Sequence, residues 1–267
     1  MLKMRKNTQF TALAEYYDAL NGADYGKYAD YVEQAVKKYG RGFEESPVLD
    51  LGCGTGSLTL ELSRRGYDMI GADISYDMLN VAMQRSAGER ILYLRQDMRA
   101  FELYGSVKAV VCALDGINYL PSLADVRKCF SLVNNYLDPG GVFLFDVNTP
   151  WRFENAYRSR DIFTQDGSGA VYMGWHSEYS PEDCACDFDI TLFIRDEEDG
   201  AYIKKSEHQR EYSYTKEQLV SAINEAGMEL IAVFSDTDIS KPATFAQGEE
   251  KWYFVAGRPE ASASELS

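Results

Sequence analysis

The sequence predicts an α/β protein: a mostly parallel sheet with helices on both faces, carrying a small antiparallel β lid inserted late in the chain. Three observations predict it. Val48-Leu49-Asp50-Leu51 is a short apolar run suited to a buried parallel strand, and it leads through Gly52-Cys53-Gly54-Thr55-Gly56 into an amphipathic stretch, Ser57 to Arg65. Strand-like and helix-like segments then alternate up to about residue 147. After that the period switches to two over three consecutive segments, as antiparallel strands require.

Taken in order, residues 8–40 read as helical, with Asn21-Gly22 dividing them into two helices, and 40–47 read as a loop. The strand at 48–51 is followed by a helix that closes at Gly66. Residues 68–72 form the second strand and 75–87 a helix with Met78, Leu79, Ala82 and Met83 inward. Residues 91–94 and 107–114 are the third and fourth strands. A helix over 122–137 stops at Asp138-Pro139-Gly140-Gly141, and 142–147 is the fifth strand. Residues 151–165 are aromatic and polar without a period. Strands follow at about 170–179, 185–195 and 201–214, with Phe188, Ile190, Leu192 and Ile194 alternating against Asp187, Asp189 and Thr191, and Asp196 to Gly200 as an acidic turn. Thr215 caps a helix that Gly227 closes, and 228–235 and 251–257 are the last strands. The expected organisation is a main domain of residues 1–150 and 215–258, whose first 44 residues form a helical cap, an inserted lid at 151–214, and a disordered tail at 259–267.

Composition narrows the function. The chain has 267 residues, 45% of them hydrophobic, and a formal net charge of −15. Such a surface repels a phosphate backbone, so nucleic acid is a poor partner, and the densest basic stretch is confined to Met1 to Lys6. No long apolar segment predicts a membrane span or a signal peptide. Five cysteines without zinc spacing fit reduced thiols in the cytoplasm; Cys184-x-Cys186 would point to one side of a strand but lacks a second pair, so no metal is expected.

The glycine turn carries the chemistry. Gly52 and Gly54 let a ligand approach the backbone, and the helix behind offers free N–H groups. Its glycines read G-x-G-x-G, and Ser57 stands where a dinucleotide fingerprint would need glycine. Asp50 suits a positively charged ligand better than a pyrophosphate. Asp73, at the end of the second strand, is placed to accept both hydroxyls of a ribose; it could equally cap the next helix, although Ser75 can take that role.

Asp50-Leu51-Gly52-Cys53-Gly54-Thr55-Gly56 resembles motif I of the class I S-adenosylmethionine (SAM) methyltransferases, and Asp97 resembles their adenine-binding acid. Three further features are similar to a group of small bacterial members: Tyr17-Asp18 with Tyr25, Leu114-Asp115-Gly116-Ile117-Asn118-Tyr119-Leu120, and Glu207-His208-Gln209-Arg210-Glu211-Tyr212. The resemblance implies a Rossmann-like class I methyltransferase fold with a seven-stranded, mostly parallel sheet. It implies SAM as methyl donor, S-adenosylhomocysteine as product, and a lid that closes over substrate. It implies cofactor contacts at Asp50, Gly52, Cys53, Gly54, Thr55, Gly56, Asp73, Ile74, Asp97, Met98, Leu114 and Tyr25. The amino-methylating DNA enzymes' N-P-P or D-P-P sequence is missing after the fourth strand.

Methyl transfer from a sulfonium needs positioning and exclusion of water, and a base only where the nucleophile carries a proton. Candidates for the chemistry are Tyr17, Asn118 and His208; candidates for acceptor binding are Tyr119, Arg210 and Tyr212. Tyr17 also fits a helix core, Asn118 and Tyr119 an ordinary loop, and His208 a cross-strand pair in the lid. Trp151 and Trp175 fit an aromatic acceptor pocket or a lid core, and His176 a structural or exposed position. The expected activity is methylation of nitrogen or oxygen on a small-molecule acceptor, in a chain of unknown oligomeric state. The alternatives are a protein or RNA methyltransferase, a SAM-binding regulatory protein without turnover, and a nicotinamide oxidoreductase.

Overall fold

A computed structural model describes residues 9–40 and 47–260. The expected basic start, the loop at 41–46 and the tail from 261 onward lie outside the described residues. A single turn of 3₁₀ helix (Ala14–Tyr16) leads into α1 (Tyr17–Leu20) and α2 (Tyr25–Tyr39). The alternating region follows: β1 (Val48–Leu51), α3 (Ser57–Arg64), β2 (Met69–Asp73), α4 (Tyr76–Arg85), β3 (Leu92–Arg95), β4 (Val107–Cys112), α5 (Leu123–Tyr136) and β5 (Leu137–Asn148). Then come α6 (Pro150–Asn155), β6 (Ser159–Gln165), β7 (Val171–Ser180), β8 (Ala185–Arg195) and β9 (Tyr202–Tyr212). The chain closes with α7 (Lys216–Glu225), β10 (Glu229–Phe234) and β11 (Lys251–Gly257).

The main sheet has seven strands in the order β10-β11-β5-β4-β1-β2-β3. The pairs from β5 to β3 are parallel, and β11 runs antiparallel between β5 and β10. Its central strands are buried on both faces, which is why they read as continuous apolar runs. The strand order reverses between β1 and β4, and in such sheets ligands bind outside the carboxyl ends of the strands at this switch point. One face packs on α5 and α7 through Val126, Phe130, Val133, Leu219 and Ile223. The other packs on α2 and α3 through Tyr28, Tyr31, Val32, Leu58 and Leu62.

The lid is a separate antiparallel sheet, β6-β7-β8-β9. It holds four strands where three are expected. The additional strand, β6, is an edge with almost every residue exposed, so no apolar alternation marks it in the sequence. The short helix before it does carry a sequence cue, because Thr149 caps it and Pro150 stands at its first position. The lid core joins Phe188, Ile190 and Leu192 of β8 to Leu13 and Leu20 of the cap, so the cap packs on the lid as well as on the sheet.

Three smaller differences have local causes. β5 begins at Leu137, ahead of the Asp138-Pro139-Gly140-Gly141 turn, because Gly140 N–H donates to Arg258 O and Arg258 N–H to Gly141 O, both at 3.0 Å. β4 stops at Cys112, because Leu114 and Asp115 both take left-handed backbone, with φ of 54° and 60°. Cys184 precedes β8 at a φ of 49° and is exposed while Cys186 is buried, so the two thiols do not share a side.

Candidate active site

The glycine turn sits at the carboxyl end of β1, with φ of 81°, 54° and 71° at Gly52, Gly54 and Gly56. These left-handed values suit glycine alone without strain. A Cβ on Gly54 would meet nothing within 4 Å, so the backbone there faces open space that a ligand can fill. Gly56 is glycine for another reason: a Cβ would come within 2.8 Å of Ala82 and closer still to Tyr93, so the turn packs directly on α4 and β3.

Two acids brace this turn. Asp50 is buried, Thr59 Oγ1 donates to its Oδ2 at 2.5 Å, and burial lifts its carboxyl to about 7. Asp73 accepts from Gly54 N–H at 2.9 Å and Ser75 N–H at 2.7 Å, while Ser75 Oγ takes Met78 N–H at 3.2 Å and so caps α4. Ile74 beside it is partly exposed, and the Met98 methyl lies 3.6 Å from the position of a Cβ on Gly52. An open glycine cradle flanked by carboxylates fits a ribose-bearing cation such as SAM. Asp97 is engaged elsewhere: Arg99 binds it bidentately at 2.5 and 2.9 Å and holds its carboxyl below the usual range.

The cap latches onto the turn through Asp18. Its carboxylate accepts from Tyr25 Oη at 2.5 Å, Thr55 Oγ1 at 2.9 Å and Ser57 Oγ at 3.0 Å, and pairs with Arg85 at 2.5 Å. Tyr25 thus joins the turn through Asp18.

Beyond β4, the strained pair Leu114–Asp115 is held by one buried acid. Leu114 N–H donates to Asp146 Oδ1 at 2.7 Å and Asp115 N–H to Asp146 Oδ2 at 3.1 Å. Lys251 Nζ lies 2.7 Å from Asp146 Oδ2 and also bonds Asp115, clamping the exit loop to β5 and β11. Burial works against the charge of Lys251, but the Asp115 and Asp146 carboxylates outweigh it and hold its ammonium well above the usual range.

The lid turns Glu207, Gln209 and Glu211 inward. Glu207 accepts N–H groups from Phe10, Thr11, Ala12 and Leu13 at 2.6, 2.9, 3.0 and 3.3 Å, so one carboxylate gathers a whole segment of chain. Ser75 Oγ donates to Phe10 O at 2.9 Å, which ties that segment to the cofactor side as well. Tyr119 Oη lies 3.1 Å from Gln209 Oε1 and 3.2 Å from Glu211 Oε1, and Asn148 Nδ2 donates to Glu211 Oε2 at 2.8 Å. Burial, then the Asp115 carboxylate, push the Glu211 carboxyl up to about 8.

Between cap and lid lies a cavity of about 150 Å³. Its walls are Leu13, Tyr17, Leu20, Asn21, Tyr157, Met173, Trp175, Phe188, Ile190, Gln209 and Glu211. Tyr17 lies in this wall, and burial with the nearby Asp115 charge raises its hydroxyl far above its usual range.

Two expected roles do not match these positions. His208 and Arg210 stand on the outer face of the lid: His208 is exposed, 2.9 Å from Asp189 and 3.2 Å from Asp187, and Arg210 lies 3.4 Å from Asp183. The Tyr212 ring lies beside the Arg210 guanidinium, and its carbonyl accepts from Asn118 Nδ2 at 2.8 Å. Asn118 is fully buried and engaged with main chain, since its Oδ1 also takes Asn148 N–H at 2.9 Å. His176 is exposed beside Asp161 at 2.8 Å. Sequence reasoning missed Asp146 and Lys251, and it quoted Asp18, Glu207, Gln209 and Glu211 within motifs without giving them a role. No cluster of three or more metal-ligating side chains occurs among the described residues, nor is any of their helices long and apolar enough to cross a membrane.

Sheet order, glycine turn and inserted lid together match those of the class I SAM-dependent methyltransferases. Residues 48–141 match the family model described as Methyltransferase domain. A protein of Geobacillus sp. (strain WCH70), described only as a candidate methyltransferase, is 28% identical over 250 residues, covering 92% of this chain and 98% of that one. A SAM-dependent methyltransferase of known structure from Clostridium acetobutylicum ATCC 824 is 25% identical, with a TM-score of 0.80 over 93% of this chain and 96% of that one. A Streptomyces venezuelae protein named dTDP-3-amino-3,4,6-trideoxy-alpha-D-glucopyranose N,N-dimethyltransferase is 29% identical over 161 residues, covering 58% of this chain and 65% of that one.

Proposed function

We propose that this enzyme moves the methyl group of SAM to nitrogen or oxygen of a small-molecule acceptor held in the cavity between cap and lid. The observation that carries this reading is the placement of that cavity. Glu211 in its wall accepts from Tyr119 Oη at 3.2 Å, and Tyr119 stands in the exit loop of β4, so the cavity adjoins the carboxyl ends of the parallel strands.

SAM, when bound, supplies an activated methyl group. The chain's own residues supply the rest. The Gly52–Gly56 turn offers backbone and open space, Asp73 would take the ribose hydroxyls, and Asp97 with Met98 would hold the adenine, in exchange for the Asp97 bond to Arg99. Asp146 and Lys251 fix the backbone at Leu114 and Asp115. Phe10 packs edge-on to Tyr17, a wall residue of the cavity, and to Tyr119 of the exit loop.

The test is incubation with methyl-labelled SAM and a fractionated cell extract. Label is expected in the small-molecule fraction and absent when Gly54→Val replaces the wild type. Label confined to protein or RNA would replace this acceptor class, and no transfer to any fraction would favour a SAM-binding protein without turnover.

A further inference from the structure

We propose that the acceptor is a compact, apolar amine that enters as its ammonium ion and gives its proton to Glu211. This deepens the methyl-transfer reading and rests on it.

The first observation is a count of hydrogens at the inner face of the lid. Tyr119 has one hydroxyl proton and two acceptors in reach, Gln209 Oε1 and Glu211 Oε1. Gln209 spends an amide hydrogen on Glu207, at 2.6 Å, rather than on Glu211. Asn148 Oδ1 is buried with no hydrogen-bond partner among the described residues. Asn148 Nδ2 serves Glu211 Oε2, so once Glu211 is ionised its Oε1 has only the Tyr119 proton it shares with Gln209, on a carboxylate that lines the cavity and is 95% buried, given its relative exposure of 5%. An ammonium brings three donors and an alcohol brings one.

The second observation is charge. No Lys or Arg lines the cavity, and none among the described residues lies within ion-pair distance of Glu211. Lys251, the nearest cation to act on it, is already committed to Asp115 and Asp146. Arg152 lies on the Tyr157 ring and beside Glu250. A phosphate or carboxylate on the buried part of the acceptor would meet no Lys or Arg in the cavity wall.

The third observation is shape. Tyr157, Trp175 and Phe188 form a triangle of rings with centroids 5.2, 5.6 and 5.8 Å apart, all three lining the cavity. Aromatic walls suit a cation and an apolar body alike. A cavity of about 150 Å³ is of the size that holds one benzene ring. The sugar nucleotide in the name of the Streptomyces venezuelae relative could place only its reacting end there.

The step balances. The ammonium N–H proton passes to a Glu211 carboxylate oxygen, leaving a free amine. Its lone pair forms the new N–C bond as the methyl's bond to sulfur breaks, and that bond's electron pair stays on sulfur. The product leaves as an N-methyl ammonium ion, and Glu211 returns its proton to water.

The experiment measures binding rather than turnover. Benzylamine and benzyl alcohol, matched in shape, are titrated into the protein loaded with S-adenosylhomocysteine. Wild type is expected to hold benzylamine about tenfold tighter or more, and Glu211→Gln to lose that preference at unchanged S-adenosylhomocysteine affinity. Thymidine diphosphate is expected not to displace benzylamine. Equal affinity for amine and alcohol, a preference that survives in a folded Glu211→Gln protein, or displacement by thymidine diphosphate would each overturn the inference while leaving methyl transfer standing. Should that variant fail to fold, the wild-type comparison decides alone. Failure of the wild type to bind S-adenosylhomocysteine would overturn the methyl-donor reading and the amine with it.

Discussion

At the scale of residues, one substitution separates cofactor binding from folding. Gly54 has a left-handed backbone, but its missing Cβ points into open space. Gly54→Val is expected to cost about 1–2 kcal/mol of stability through backbone strain, more from the branched side chain, and to abolish SAM binding. A thermal melt and a SAM titration on the same preparation check it; normal binding by the folded variant would remove the turn from the cofactor site. Glu211 gives a second prediction, with a definite sign. Its carboxyl rises from the ordinary 4.5 to about 8, so the unliganded folded protein favours the protonated form, and the charge of a bound ammonium is what holds Glu211 ionised for the proposed step. The stability the protonated form provides is full below 4.5 and is lost as pH rises through about 8, where a buried charge must form. The groups that set this are Asp115, Lys251, Asn148 and Tyr119. Glu211→Gln removes the charge and keeps the shape. It is expected to raise Tm at pH 9 and to change it little at pH 5; an equal effect at both would contradict the buried-acid account.

At the scale of elements, the lid strand β9 shows both the reach and the limit of sequence reasoning. Period two puts Glu207, Gln209 and Glu211 on one face and His208 and Arg210 on the other. It does not say which face is inward, because neither set is apolar. Register decides, since directly paired residues share a face: Phe188 of the lid core pairs with Gln209, and Ile190 with Glu207. A turn one residue shorter, pairing Arg195 with Ala201, would set His208 opposite Phe188 and bring it inward. The actual pairing of Arg195 with Tyr202 sends it out. Turn length is thus the whole difference between a candidate base and a surface contact with Asp187 and Asp189. His208→Ala is accordingly expected to leave the methyl-transfer rate near normal and to lower stability by under about 1 kcal/mol, as for an exposed pair. A hundredfold rate loss in a stable variant would restore His208 to the chemistry. Glu207→Ala is the contrasting change. It leaves four backbone N–H groups without their acceptor, and hydrogen exchange at residues 10–13 is expected to accelerate strongly while the main sheet stays protected. Unchanged protection there would deny Glu207 its anchoring role.

At the scale of the whole molecule, the alternating region was legible because parallel strands buried on both faces read as apolar runs and the glycine turn marks the switch point. The edge strand β6 was not legible, since an exposed strand carries no burial pattern. The buried acids were not legible either: Asp146 and Lys251 lie on neighbouring antiparallel strands and meet only because β5 and β11 pair. The cap, turn, exit loop and lid join through Asp18, Asp146, Asn118 and Glu207, so each site is built from elements far apart in the chain. The central claim is that this assembly holds SAM rather than a nicotinamide dinucleotide. Calorimetric titration of the wild-type protein with S-adenosylhomocysteine, and separately with NADH, tests it most directly. One molecule of S-adenosylhomocysteine bound per chain, with no heat from NADH, is the result predicted; binding of NADH, or no binding of S-adenosylhomocysteine, would contradict it.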